Sequence, residues 1–245
     1  MFKIALGAGH GAKTVGKRCM KALDYKETPE WVLNDRICDK VEALLKGYTG
    51  YELLRLDDSD DGAEDVALAE RVSEANRWEA DVYISVHHNA GVKGGAGGGI
   101  VAYAHPNAQT ASFEWRDELY EALVEGTGLR GNRSTPRATG DLYVLRRTKM
   151  PAVLLELGFM DSKTDVPIIL TEEYADGCAR AIVEVIARRG GLTAKETQEA
   201  ADGPDSWAQS AWQRATSAGL LDGTRPRDTL TRQELAVVLA KLGLL

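Results

Sequence analysis

Cysteine is scarce. Cys19, Cys38 and Cys178 are odd in number, widely separated and without a CxxC pair, which excludes a disulfide framework and suits free thiols in a reducing compartment. Long apolar runs are missing as well, and no stretch approaches the ~18–20 residues that a membrane span needs. Met1 to Gly7 has no basic segment leading into an apolar core, so no secretory signal is expected. Runs of Lys and Arg are also absent, and 30 basic against 37 acidic residues leave a net charge of −7. That balance argues against DNA or RNA as a partner. What remains is a globular composition, 44% hydrophobic and 27% charged, able to bury a core. The 245 residues allow one α/β domain with a small appendage.

Short apolar runs alternate with helical patterns. Lys3 to Leu6 is apolar and ends at glycine, as a buried strand opening into a loop does. Thr28-Pro29-Glu30 resembles a helix start with Thr28 as N-cap, and Trp31, Ile37, Val41, Leu44 and Leu45 carry a helical spacing to about Lys46. Strands follow at Tyr51–Leu56, Val82–Val86, Ile100–Ala104 and Ala152–Leu157, with Leu142–Leu145 expected to be extended. Helices are expected around Ala67–Asn76, Ser112–Glu125 and Asp176–Arg189. The pattern predicts an α/β fold, a mainly parallel twisted sheet with helices on both faces, over residues 1–190. A polar linker is expected at 191–205, and a small all-helical module at 206–245, with helices Trp207–Ala218 and Arg232–Leu242.

Polar residues gather where strands end. His10 lies in Gly7-Ala8-Gly9-His10-Gly11, Glu27 precedes the first helix, and His87 follows the third strand. Neighbouring strand ends of an open sheet share one crevice. Two imidazoles and a carboxylate there make the ligand set of catalytic zinc sites that keep a position open. On an extended backbone His87 and His88 face opposite sides, so one of them enters the site; His88 and His105 are expected to be structural or peripheral. Glu156 is a lone acid in an apolar strand, costly to bury unless it faces a polar cavity, where it would suit a general base. Gly7-x-Gly9-x-x-Ala12 also fits a loose dinucleotide fingerprint, but the segment after it lacks a helical pattern and the second strand's acids come too late.

These motifs, with Arg71-x-x-x-Ala75-Asn76, Ser85-Val86-His87-x-Asn89-Ala90 and Pro151 to Phe159, resemble in order the zinc-dependent N-acetylmuramoyl-L-alanine amidases of the amidase-3 type over about Met1 to Arg189. The first loop reads Gly-Ala-Gly-His where many relatives have Asp-Pro-Gly-His, and a second histidine follows His87. The resemblance implies His10, Glu27 and His87 as zinc ligands and Glu156 as the catalytic glutamate. It implies peptidoglycan as substrate, cut by zinc-activated water at the amide between N-acetylmuramic acid and L-alanine. The nearer rival is a zinc peptidase acting within the stem peptide; the rival of another class is a non-catalytic wall-binding protein.

In the tail, Trp207 to Ala215, Gly219 to Gly223 and Leu230 to Ala236 resemble a single S-layer-homology motif, with Thr231 and Glu234 as a capping box. That resemblance implies binding of secondary cell-wall polymer or self-association into a homo-oligomer. Without a signal peptide, the chain most resembles a phage or prophage endolysin, made in the cytoplasm and acting on the wall after release. A host autolysin exported by another route is the alternative.

Overall fold

Strand β1 (Phe2–Ala8) is apolar at consecutive positions because both of its faces are covered: Ile4, Leu6 and Ala8 enter one core and Ala5 the other. The same alternation runs through β4 (Val82–Asn89) and β7 (Ala152–Phe159). This computed structural model describes residues 1–58, 60–131, 136–195, 208–221 and 232–242. The other strands of the sheet are β3 (Tyr51–Arg55), β5 (Ile100–Ala104) and β6 (Arg137–Thr139), in the spatial order β3-β1-β4-β7-β5-β6. Neighbours from β3 to β7 are parallel, β5 runs antiparallel to β7, and β6 is parallel to β5. The expected mainly parallel sheet is thus present, with a reversal at β5.

Helices α1 (Glu30–Leu45), α3 (Thr110–Thr127) and α6 (Glu172–Gly190) bury Ile37, Val41, Leu119, Leu123 and Ile182 against one face, together with the short α5 (Val166–Ile169). The opposite face is covered by α2 (Leu68–Trp78) and α4 (Tyr143–Arg147) through Val72, Ala75, Val144 and Leu145. Each fully buried aliphatic side chain contributes about 1.5–3 kcal/mol, so the larger first core is the main source of stability. Leu142–Leu145, expected as extended, is instead the start of α4, whose amides at Leu145 and Arg146 bond to the Leu142 carbonyl. Four apolar residues cannot separate the two periods, and here two of them, Val144 and Leu145, are sealed in the second core. Helix α1 starts one residue later than expected, with Pro29 rather than Thr28 at the N-cap.

The chain divides into two compact units, Met1–Lys195 and Glu196–Leu245. Within the segment expected as linker, β8 (Thr193–Ala194) pairs antiparallel with β2 (Tyr48–Thr49) and so joins the first unit. The second unit contains α7 (Gln209–Ser217) and α8 (Arg232–Lys241), with the Lys241 ammonium donating to the Gly219 carbonyl at 2.9 Å. Trp207 and the expected Thr231 capping box lie outside the described residues.

Arg55 at the end of β3 bonds to Asp35, Asp39, Glu42 and Asp57. Asp57 in turn accepts from the Ala8 amide at 2.9 Å, so this cluster anchors the loop that follows β1. Burial, with Asp39 close by, pushes the Asp35 carboxyl up to about 7, although Arg55 opposes it. A raised folded-state pKa gives stability that is complete below the unfolded value and is lost as pH rises through about 7. Arg55→Met removes the opposing cation; it is expected to destabilise the fold by about 3 kcal/mol. The deficit should be larger at pH 8 than at pH 5 in denaturant unfolding.

Candidate metal centre

Three elements deliver the polar residues to one end of the sheet. The chain leaves β1 through Gly9 and turns at His10, whose φ of +65° is rare for a side-chain-bearing residue. The buried Arg71 guanidinium holds that turn, donating to the carbonyls of Ala8 at 2.5 Å, His10 at 3.1 Å and Val66 at 2.8 Å. On β4, Val82, Ile84, Val86 and His88 face the α1 side, while Tyr83, Ser85 and His87 face the other. Glu156 lies directly opposite His87 in the β4–β7 register. The third donor comes from the first residue of α1, where the buried stripe Glu30, Asn34, Ile37, Val41, Leu45 meets the strand ends.

Donor atoms of His10, Glu30 and His87 lie within 4.8 Å of one another. Glu30 Oε1 is 3.1 Å from His87 Nδ1, and Oε2 is 3.5 Å from His10 Nε2. The two rings meet edge to face, with centroids 5.1 Å apart. The expected Glu27 is not part of this group. Its backbone takes a φ of +50° in the loop before the helix, and its carboxylate pairs with Lys21 at 3.3 Å on the surface. Glu30 is 1% exposed and replaces it. The helical phase held the signal, since Glu30 falls on the α1 stripe that faces the core whereas Glu27 precedes the helix.

The donors carry the charges that a cation requires. Burial favours neutral Glu30, but the His87 hydrogen bond and the neighbouring imidazole and Lys17 charges outweigh it and hold the carboxyl below its usual range. Burial lowers the His10 imidazole, against the pull of Glu30. Glu30 Oε2 is buried without a hydrogen-bond partner, a costly state that a bound cation would relieve. Ionised Glu30 and neutral His10 are the forms that ligate metal, and two histidines with a glutamate are a catalytic zinc set. The structure thus fits a divalent ion at this point.

A further layer orients the donors, and in it Ser85 and Asn34 had no expected role while His88 was expected to be structural or peripheral. Ser85 Oγ sits 3.2 Å from His87 Nε2. Asn34 bonds to the Gly9 carbonyl at 3.2 Å and to buried His88 Nδ1 at 2.7 Å, so His88 braces the site from the opposite face as a structural residue. His105, as expected, stays peripheral and pairs with Asp141. Glu156 is pushed up to about 7 by burial, with Glu30 adding and His87 opposing, and its Oε2 also lacks a partner. His10, His87 and Glu156 open into a cleft of about 530 Å³ that also includes Lys17, Leu68, Leu142 and Tyr143.

A family model described as N-acetylmuramoyl-L-alanine amidase matches residues 4–188, and the chain belongs to that family. It is 29% identical over 193 residues to the N-acetylmuramoyl-L-alanine amidase CwlM of Bacillus licheniformis, covering 79% of this chain and 70% of the relative. It is 30% identical over 205 residues to the endolysin of Bacillus phage SPP1, covering 81% and 72%. Among solved structures, the catalytic domain of the amidase CwlV from Bacillus (Paenibacillus) polymyxa var. colistinus is similar with a TM-score of 0.66 and 27% identity, over 77% of this chain and 98% of that one. An N-acetylmuramoyl-L-alanine amidase from Clostridium difficile 630 is similar with a TM-score of 0.67 and 25% identity, over 76% and 95%.

Two expectations follow from the geometry. A Cβ at Gly9 would collide with the His87 imidazole, so Gly9→Ala should displace that ring and weaken divalent-metal uptake, read by titrating the metal-free protein with zinc. Glu156 has a raised folded-state pKa, so its contribution is complete below the unfolded value of 4.5 and fades as pH rises through about 7. Metal-free Glu156→Gln should therefore gain melting temperature relative to wild type between pH 5 and pH 8; a constant difference would contradict this.

Proposed function

We propose that this protein is a zinc-dependent peptidoglycan hydrolase that cleaves the amide between N-acetylmuramic acid and the L-alanine of the stem peptide. Zinc is held by His10, Glu30 and His87, and Glu156 is the catalytic acid–base. The observation that carries this proposal is the convergence of the three donors beside a glutamate whose Oε2 is buried and unpartnered, in a chain of the amidase family.

When bound, zinc supplies Lewis acidity, polarising the scissile carbonyl and acidifying a water beside it. The remaining work belongs to this chain. Glu156 takes a proton from the attacking water at its unpartnered Oε2 and delivers it to the nitrogen as the C–N bond breaks. The water oxygen stays on the lactyl carboxylate, and L-alanine leaves as a free amine. A carboxyl raised towards neutrality suits both steps, because it accepts and returns the proton near the working pH. Ser85 fixes the His87 ring, Arg71 fixes the His10 turn, and the apolar wall of Leu142 to Val144 limits water on one side of the cleft.

A phage or prophage lysin role is part of the proposal, supported by the 30% identity to the SPP1 endolysin. Recovery of the protein from culture medium without lysis would favour a host autolysin instead. The second unit is assigned to wall-polymer binding on the strength of its S-layer-homology-like pattern.

Digestion of purified peptidoglycan should release N-terminal L-alanine without new reducing sugar, stop with chelator and return with zinc. Other new amino termini would point to a stem peptidase, and none at all to a wall-binding protein. His10→Ala and Glu30→Ala should lose zinc and activity together, whereas Glu27→Ala should keep both. Glu156→Gln should keep zinc and lose about 10²–10⁴-fold in turnover.

A further inference from the structure

The charged groups of the cleft are unequally engaged. Arg71 spends its guanidinium on three backbone carbonyls, and Asp65 accepts from Thr14 Oγ1 at 2.7 Å. Glu30 is tied to the two histidines. Lys17 differs: among the described residues its ammonium has one acidic partner within 4.0 Å, Glu30, and this side chain is 46% exposed. Its backbone is nevertheless fixed on both sides, since its amide donates to the Thr14 carbonyl at 3.3 Å and its carbonyl accepts from the Glu30 amide at 2.9 Å. The adjoining Arg18 bridges to Pro29. A flexible cation on a fixed base thus stands at the solvent side of the buried donors.

Its charge is oddly placed for a cleft built to hold a divalent cation. Like charges repel across a few ångströms, so a lysine beside such a centre is favourable when an anion comes between or beside them. The carboxylates of the cleft are committed elsewhere: Glu30 to the two histidines, Asp65 to Thr14 Oγ1, and Glu156, whose Oε2 is buried, to the reaction proposed above. The anion must arrive with the substrate.

We propose that Lys17 is a specificity residue that binds a carboxylate of the stem peptide, on the acidic residue following L-alanine, and so distinguishes walls in which that group is free from walls in which it is amidated. The inference rests on the amidase reading and deepens it. Exposure of the ammonium suits a substrate group remote from the scissile bond, because the groups assigned to the reaction, Glu30 and the Oε2 of Glu156, are buried.

The test uses two glycopeptide fragments that differ at this residue, carboxylate in one and carboxamide in the other. Wild type should prefer the carboxylate fragment in kcat/KM, through KM. Lys17→Met should reduce the preference about tenfold at unchanged zinc content, and Lys17→Arg, which keeps the charge, should retain most of it. Calorimetric binding of both fragments to zinc-loaded Glu156→Gln, with and without Lys17→Met, should reproduce the same discrimination without turnover. An equal loss on both fragments would overturn the proposal and put the ammonium at the reacting carbonyl, and an unchanged preference would overturn it outright. If wild type releases L-alanine termini from neither fragment, the amidase reading fails, while the binding arm still decides Lys17.

Discussion

The site depends on one unfavourable placement, a carboxylate at Glu30 removed almost entirely from water. An isolated buried charge would neutralise itself or unfold its surroundings. Here His87 bonds to one oxygen, the imidazole edge of His10 faces the other, and the His88 amide approaches from β4 at 3.2 Å. Even so, one oxygen has no hydrogen-bond partner. A protein that leaves a buried carboxylate half satisfied between two imidazoles is organised around something positive, and the rest of the architecture serves that arrangement. The ends of β1 and β4 and the start of α1 are brought together by elements whose own stability comes from packing elsewhere. The donors therefore need not hold the fold together.

The supporting contacts divide the work. Arg71 is suited to bracing a strained turn because a planar guanidinium can meet several carbonyls at once, and it does so for the residues on both sides of Gly9. Asn34 joins the same loop to His88 on the far side of β4. The His10 turn is thus held from two directions, which fixes the imidazole without burying it fully.

Much of this arrangement was legible in the chain. Short apolar runs marked β1, β4 and β7, and the isolated acid of Val153-Leu154-Leu155-Glu156 lies on the cleft side, as its cost of burial demanded. The adjacency of His87 and His88 resolved by the alternation of faces along a strand. Glu27 and Glu30 both adjoin the start of α1, and only the phase of the buried stripe separates them. One turn of backbone separates the surface from the sheet. The α4 segment is not legible as a helix because four apolar residues carry no period. The reversal at β5 depends on sheet order, which no local pattern encodes, and much of the tail pattern falls on residues outside those described.

Sheet order and chain order differ in one respect that bears on how the molecule is made. β7 is the last strand of the sheet to be synthesised, yet it sits between β4 and β5. Until residue 159 emerges, β5 and β6 have no neighbour through which to join the rest. The group β3-β1-β4, with α1, is complete by Asn89 and already carries His10, Glu30 and His87. The three donors are therefore encoded in a parallel subassembly that precedes Glu156 in the chain, and β7 closes the sheet and brings that carboxyl opposite His87 in one event.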